Sequence, residues 1–322
     1  SIVGAENAGI LSGAGISLDA SNDISTRGPI KTGGSLDVEA GGDLSVSGLL
    51  VARDEVTMVA GGTLTSSSAS IAGRSIALSG ASAILDQTWV ISETGINIAA
   101  RDVTLDKATA FQAADTINVN AANELRIGTI INASDYPNLA LSFKDLTVLD
   151  GGVIARPEIV LSVDGNISNS GTLYGTNITD LAAAGLFNGT TGVIYGGSVT
   201  INVTGDFENL GQLVSGSTLD IVTAGIATNS GITQAADRLT LRAVDYAANS
   251  QAAELVGTDV NIILSGTLSN SGLLLASGGS LSIVADGGVS NLDDGRVYGD
   301  ATSVRSGAHI VNAGTLASGS DL

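Results

Sequence analysis

Asp293-Asp294, followed by Gly295 and Arg296, is the one adjacent acid pair in the later part of the chain. Two carboxylates held across a glycosidic bond, one with a raised pKa, are the tools of glycoside hydrolysis. A galacturonan-cleaving pattern would add Gly-His-Gly and Arg-x-Lys, whereas the chain offers Gly307-Ala308-His309 and no matching lysine. His309 is the only histidine, so a Ser-His-Asp relay or a histidine metal site would have to be built around it, with Ser303 and Ser306 as neighbours. In a serine-rich chain this proximity is weak, and a solvent-facing or corner histidine is the expectation. Calcium suits acidic side chains, but Asp19, Asp23, Asp37 and Asp43 are too scattered for a cage. Zero cysteines exclude disulfides, thiolate zinc sites and a thiol nucleophile. The chain is therefore expected to be non-enzymatic, with no catalytic residue, metal or cofactor.

Aromatic residues suggest contact chemistry instead. Tyr174-Gly175 and Tyr195-Gly196 repeat one dipeptide about twenty residues apart, and Tyr298-Gly299 repeats it later. Tyr174 and Tyr195 are thus candidates for stacking on one face, where exposed aromatics meet sugars or protein receptors. Tyr136, Phe143 and Lys144 form a second candidate contact. Asn132-Ala133-Ser134, Asn166-Ile167-Ser168, Asn177-Ile178-Thr179, Asn188-Gly189-Thr190 and Asn202-Val203-Thr204 match the glycosylation sequon, as chance allows in an Asn- and Thr-rich chain.

The elements that must carry these residues are set by repetition. Ile16, Leu36, Val56, Ile76 and Ile96 recur every twenty residues, each inside an alternating apolar-polar-apolar run. A second rung reads Ile24, Leu44, Leu64 and Ile84, and a third reads Ile10, Ile30, Leu50, Ser70 beside Ile71, then Val90. Three short strands per twenty residues describe one turn of a solenoid, because such a turn cannot bury its own apolar side chains until others stack on it. The expected fold is all-β, a right-handed parallel β-helix, the hand following the preference of parallel crossovers. Some sixteen coils at the strand spacing would make one elongated domain on the order of 75 Å long.

Composition agrees with that reading. Aromatic residues are only 3% and glycine numbers 43, which fits a narrow core of small aliphatic side chains with glycine pairs such as Gly33-Gly34, Gly41-Gly42 and Gly61-Gly62 at corners that need positive φ. Trp89 and Phe111 are expected at a corner or outside. A net charge of −19 makes nucleic acid and anionic lipid poor partners and keeps a long rod soluble. No apolar run is long enough for a membrane helix, so no membrane insertion is expected. The repeats run to both termini, from which a longer parent protein with caps outside this stretch is expected.

The chain divides into glycine-cornered coils over 1–130, an interruption over 131–158 and a second block of coils over 159–322. Two of the three prolines, Pro137 and Pro157, fall in the interruption, where the backbone must leave the regular ladder. In the second block an asparagine marks each coil: Asn169, Asn188, Asn209, Asn229, Asn249, Asn270, Asn291 and Asn312. Such asparagines suit left-handed turns and can bond the amide of the coil above and below. Val199, Leu219, Leu239, Val260 and Leu281 begin the alternating runs between them.

Motifs such as Asn169-Ser170-Gly171-Thr172-Leu173, Asn209-Leu210-Gly211-Gln212-Leu213 and Asn270-Ser271-Gly272-Leu273-Leu274, alternating with runs such as Gly279-Ser280-Leu281-Ser282-Ile283-Val284-Ala285, resemble the haemagglutinin repeats of filamentous haemagglutinin. Those repeats occur across two-partner secretion exoproteins, including adhesins and contact-dependent growth inhibition effectors. The resemblance covers nearly the whole chain in repeat form. It implies a secreted or surface protein of a Gram-negative bacterium, exported through an outer-membrane transporter partner and folding outside the cell. The expected role is a rigid shaft that presents a binding or toxin region to other cells. The alternatives are a chain that itself contacts a target-cell receptor or glycan, and a β-helical polysaccharide-cleaving enzyme.

Overall fold

The run Ile16-Ser17-Leu18-Asp19-Ala20 alternates inward and outward, and the inward residues are those that an adjacent coil can cover. In the computed structural model, which describes residues 2–3, 9–132, 139–248 and 250–321, this run is the first of three strands in a coil completed by Ile24–Thr26 and Ile30–Thr32. Each strand pairs in parallel with its counterpart about twenty residues on, the arrangement of a parallel β-helix. The chain divides into two compact units, Ser1–Gly152 and Val153–Leu322.

In unit 1 the first rung runs in unbroken register from Ile16 through Leu36, Val56, Ile76, Ile96 and Ile117 to Leu139. The third runs from Ile10 through Ile30, Leu50, Ile71 and Val90 to Phe111. Leu36, Leu44, Leu50, Val56, Leu64 and Ile71 are wholly buried. Burying each such side chain stabilises the fold by roughly 1.5–3 kcal/mol, and only stacking removes them from water.

Three expectations are corrected here. Ile84 is not in the second rung: Leu64 pairs with Ala83, which is buried, while Ile84 pairs with Thr65 and is 37% exposed. The offset at that rung is nineteen residues, and a slip of one turns a side chain to the other face. Phe111 is in the core at 7% exposure, beside Val90, because it holds an inward position; Trp89 holds the outward position next to it and is 58% exposed. The glycine pairs do not serve positive φ, which among glycines is found at Gly48 and Gly151. A Cβ on Gly33, Gly41 or Gly61 would instead fall under 3.0 Å from the carbonyl of Gly13, Ser21 or Gly41 in the adjoining coil. The glycines are required by the close stacking of corners, and the non-glycine residues at positive φ among the described residues are Ser68, Gln87 and Ala108.

Within the stretch 131–158, Leu139–Val148 pairs with Ile117–Ile127, with a register shift between Ala121 and Glu124. Pro137 lies outside the described residues. Pro157 falls where the register shifts between Arg156 and Glu158, a point at which no ladder N–H is needed.

In unit 2 a coil begins with a short strand such as Asn166–Asn169 and continues through Thr172–Ala183, which turns a corner where the register shifts between Gly175 and Ile178. Later coils separate the latter into two strands, as in Gln212–Ser215 and Leu219–Thr223. The inward column of the short strand reads Ile167, Leu186, Phe207, Ala227, Tyr246, Leu268 and Val289. Ala227 between Phe207 and Tyr246 lets two large rings enter a narrow core at constant volume.

Candidate interaction surface

The polar residues of unit 2 begin with the asparagine strand, because a buried amide at an inward strand position must find partners. Asn169 Nδ2 donates to Asn188 Oδ1 at 2.8 Å, Asn188 to Asn209 at 2.7 Å and Asn209 to Asn229 at 2.9 Å. Asn270 donates to Asn291 at 2.8 Å, and Asn291 to Asn312 at 2.7 Å. These side chains also reach carbonyls of the next strand, as Asn209 does to Ile232 O at 2.9 Å. The register differs from the sequence spacing at one coil, where Ala248 pairs with both Asn229 and Asn270. Asn249 lies outside the described residues. There Asn229 Nδ2 donates onward to Glu254 O at 2.9 Å, and the Tyr246 ring fills the neighbouring space, burial pushing its phenol well above the usual range. The ladder asparagines lie in extended strands with negative φ, so the expected left-handed turn is not their role.

Two further devices tie coils together, and neither was singled out from the sequence. Corner aspartates accept the backbone N–H of the following coil: Asp23 from Asp43 at 2.9 Å, Asp43 from Thr63 at 2.8 Å, Asp206 from Ile226 at 2.8 Å. Asp245 accepts the N–H and hydroxyl of Thr267, and Asp259 those of Ser280, which holds both carboxyls below the ordinary aspartate value. Strand-ending hydroxyls do the reverse. Thr32, Ser92 and Thr223 accept the N–H two residues ahead and donate to the carbonyls of Ala14, Arg74 and Gly205 in the preceding coil. The available signal was an Asp recurring at corner spacing and a Ser or Thr two residues before the turn ends.

The outward face of the strands that follow the asparagines is different in kind. Tyr174 and Tyr195 are in direct register, with ring centroids 4.9 Å apart and planes inclined by 10°, a stacked pair. Tyr174 is 40% exposed. Their column continues through Val214, Gln234, Val256 and Leu275 to Tyr298. The parallel outward column carries Val193, Ile232 and Leu273. Along the outward positions of the segments 153–155, 172–174, 193–195, 212–214, 232–234, 254–256, 273–275, 296–298 and 315–317, Glu254 is the one carboxylate and Arg296 the one cation; beyond the corner the longer strands carry Glu158, Asp180, Asp300 and Arg305.

The other candidates are placed apart from this strip in the chain. Phe143 and Lys144 belong to unit 1, Phe143 half-buried beside Ala121 and Lys144 exposed; Tyr136 lies outside the described residues. Asp293 and Asp294 are exposed in a turn. The Ser306 hydroxyl lies 2.7 Å from Gly287 O and 2.9 Å from His309 O, a corner tie to backbone and not a contact with the imidazole. Among the described residues no group of three or more His, Cys, Asp or Glu side chains is placed to hold a metal ion. Among the described residues no helix is long and apolar enough to cross a membrane.

Fold and ladders together define an all-β parallel β-solenoid, a repeat scaffold in which most polar side-chain bonds join one coil to the next. Comparison with protein-family models, with curated proteins and with solved structures finds no match.

Proposed function

We propose that the chain is a rigid shaft segment of a large bacterial exoprotein of the two-partner secretion kind, holding a binding or toxin region away from the cell surface, with no catalysis of its own. The observation that supports this reading is the direction of the side-chain bonding. Ladder asparagine amides, corner aspartate carboxylates and corner hydroxyls bond the neighbouring coil, at separations of about twenty residues, and so resist bending and shear between coils. The haemagglutinin-like Asn-x-Gly-x-Leu repeats point to secretion through an outer-membrane transporter and to an extracellular location.

The test is binding of the labelled chain to bacterial and host cells, against a β-helix of equal charge with a scrambled surface. A shaft gives no saturable binding to either. Saturable binding to one cell type overturns the reading and makes the chain a receptor- or glycan-recognition region, to be mapped from Tyr174 and Tyr195.

A further inference from the structure

A parallel sheet is ordinarily covered on both faces, yet the strands of unit 2 that follow the asparagines turn outward a mostly apolar strip: a column of Tyr174, Tyr195, Val214, Val256, Leu275 and Tyr298 broken by Gln234, beside one in which Val193, Ile232 and Leu273 alternate with polar residues. Nine successive strands, from Val153–Ser162 to Thr315–Asp321, carry it. At the strand spacing this is on the order of 40 Å long and one strand, about 10 Å, wide. Tyr174 is exposed and the other apolar side chains of the strip are half-buried, and an outward strip low in charge and containing tyrosine has the composition of the centre of a protein interface.

Charge narrows the choice of occupant. With a net charge of −19, two copies of this chain repel one another over most of their surface. Elsewhere in unit 2 the outward positions hold Asp180, Asp220 and Asp259 together with Arg238 and Arg242 on one face, and Glu208, Asp245 and the corner residue Asp206 on the other. The strip has Glu254 alone, balanced by Arg296. It is the face of unit 2 with the fewest carboxylates to appose when like copies approach. Shape favours the same occupant. The strip is ridged at the inter-strand spacing, and a second copy has ridges of the same period, so side chains such as Tyr195, Val214 and Leu275 can seat between those of the partner over many coils as in sheet-on-sheet packing.

We propose that unit 2 pairs side by side with the same strip of a second copy of this chain. The footprint of about 400 Å² on each partner is below the standard interface of about 800 Å² per partner, so the pair is a weak, reversible dimer and not an obligate one. Salt strengthens it, because screening weakens the residual repulsion between the acidic chains.

Sedimentation equilibrium of the chain over roughly 1–200 μM, at low and at high salt, tests this. The expected result is a monomer–dimer equilibrium that shifts toward dimer as salt rises. Val214→Glu with Leu275→Glu, both at outward positions, is expected to weaken association at least about tenfold while circular dichroism stays that of the parent. Val222→Glu, on another face, leaves association unchanged and serves as the control should the double variant lose its fold, in which case Tyr195→Ser repeats the test without new charge. A chain that stays monomeric across the range at high salt overturns the proposal. So does a dimer that the strip variants leave intact, or one that salt dissolves, which marks a charge-driven contact elsewhere.

Discussion

Replacing Asn209 by aspartate exchanges one NH2 for an oxygen at constant volume, so it probes the asparagine ladder without opening a cavity. Asn209 is fully buried; it accepts from Asn188 Nδ2 at 2.7 Å and donates to Asn229 Oδ1 at 2.9 Å and Ile232 O at 2.9 Å. An ionised aspartate still accepts from Asn188 but faces two oxygens that it cannot satisfy, and it gains the Thr233 hydroxyl, 3.1 Å from Asn209 Nδ2, only by drawing that donor from Asn229 Oδ1; a buried charge without a counter-ion costs about 3–5 kcal/mol. A protonated aspartate restores one donor, which leaves a deficit of one hydrogen bond, about 1 kcal/mol. The carboxyl therefore has a folded-state pKa raised above the unfolded value near 3.9. The variant is least impaired below that value and loses stability as pH rises above it, at about 1.4 kcal/mol per unit, until the folded-state group itself ionises. Urea unfolding from pH 3.5 to 8, each point referred to the parent chain at the same pH, measures this through the midpoint. A cost at pH 7 within about 0.5 kcal/mol of zero, the range of an ordinary surface change, refutes the argument that the ladder amides hold the coils together. A large cost independent of pH refutes the electrostatic part alone.

Gly211→Ala should destabilise by more than about 1 kcal/mol, since its Cβ would fall under 3.0 Å from the carbonyls of Gly192 and Gly189, whereas Gly278→Ala, into open space, should be neutral or stabilising by about 0.4–1 kcal/mol; thermal unfolding of the pair checks this. Phe111→Ala should cost about 3–5 kcal/mol and Trp89→Ala less than about 0.5 kcal/mol, the reverse of what ring size alone suggests, as denaturant midpoints would show. Asp245 and Asp259 have carboxyls lowered by the N–H and hydroxyl bonds they accept, so the stability they contribute is full above the unfolded aspartate value and is lost as pH falls through their folded-state values. Asp245→Asn should reduce the acid sensitivity of the midpoint below pH 4, by a modest amount because the group is near the surface.

The period was legible because apolar residues at inward positions must stack on their counterparts, and the first rung from Ile16 to Ile96 lies in register as spaced. Legibility ended where a coil changed length by one. Ile84 looked like the heir of Leu64 by count, and Ala83 holds the place because alternation, once shifted, carries every later side chain with it. The same limit applies at Ala248, where an asparagine one residue further on disguised a gap in the column. The glycine corners were visible but their cause was not, since a clash with the carbonyl of another coil has no local sequence signature. The apolar strip was hidden for a related reason. Alternation marks a residue as outward without saying which of three outward faces it joins, so Val214, Val256 and Leu275 read as scattered until the corners had been placed.

Every step of the asparagine ladder points the same way, each Nδ2 donating to the coil that follows it in the chain. At the start of the series Asn169 Oδ1 is buried and receives no donor. Aligned amide dipoles reinforce one another, so each of the two runs, Asn169 to Asn229 and Asn270 to Asn312, is polarised along its length. A coil already in place therefore holds out a hydrogen toward a residue still to be laid down. Assembly from the amino-terminal side meets a waiting donor at each turn that carries a ladder asparagine, while assembly from the other side meets a carbonyl oxygen whose partner must itself be brought into place. The ladder thus gives a chain that emerges amino-terminus first a built-in sense of winding, in which each completed turn is the template for the next.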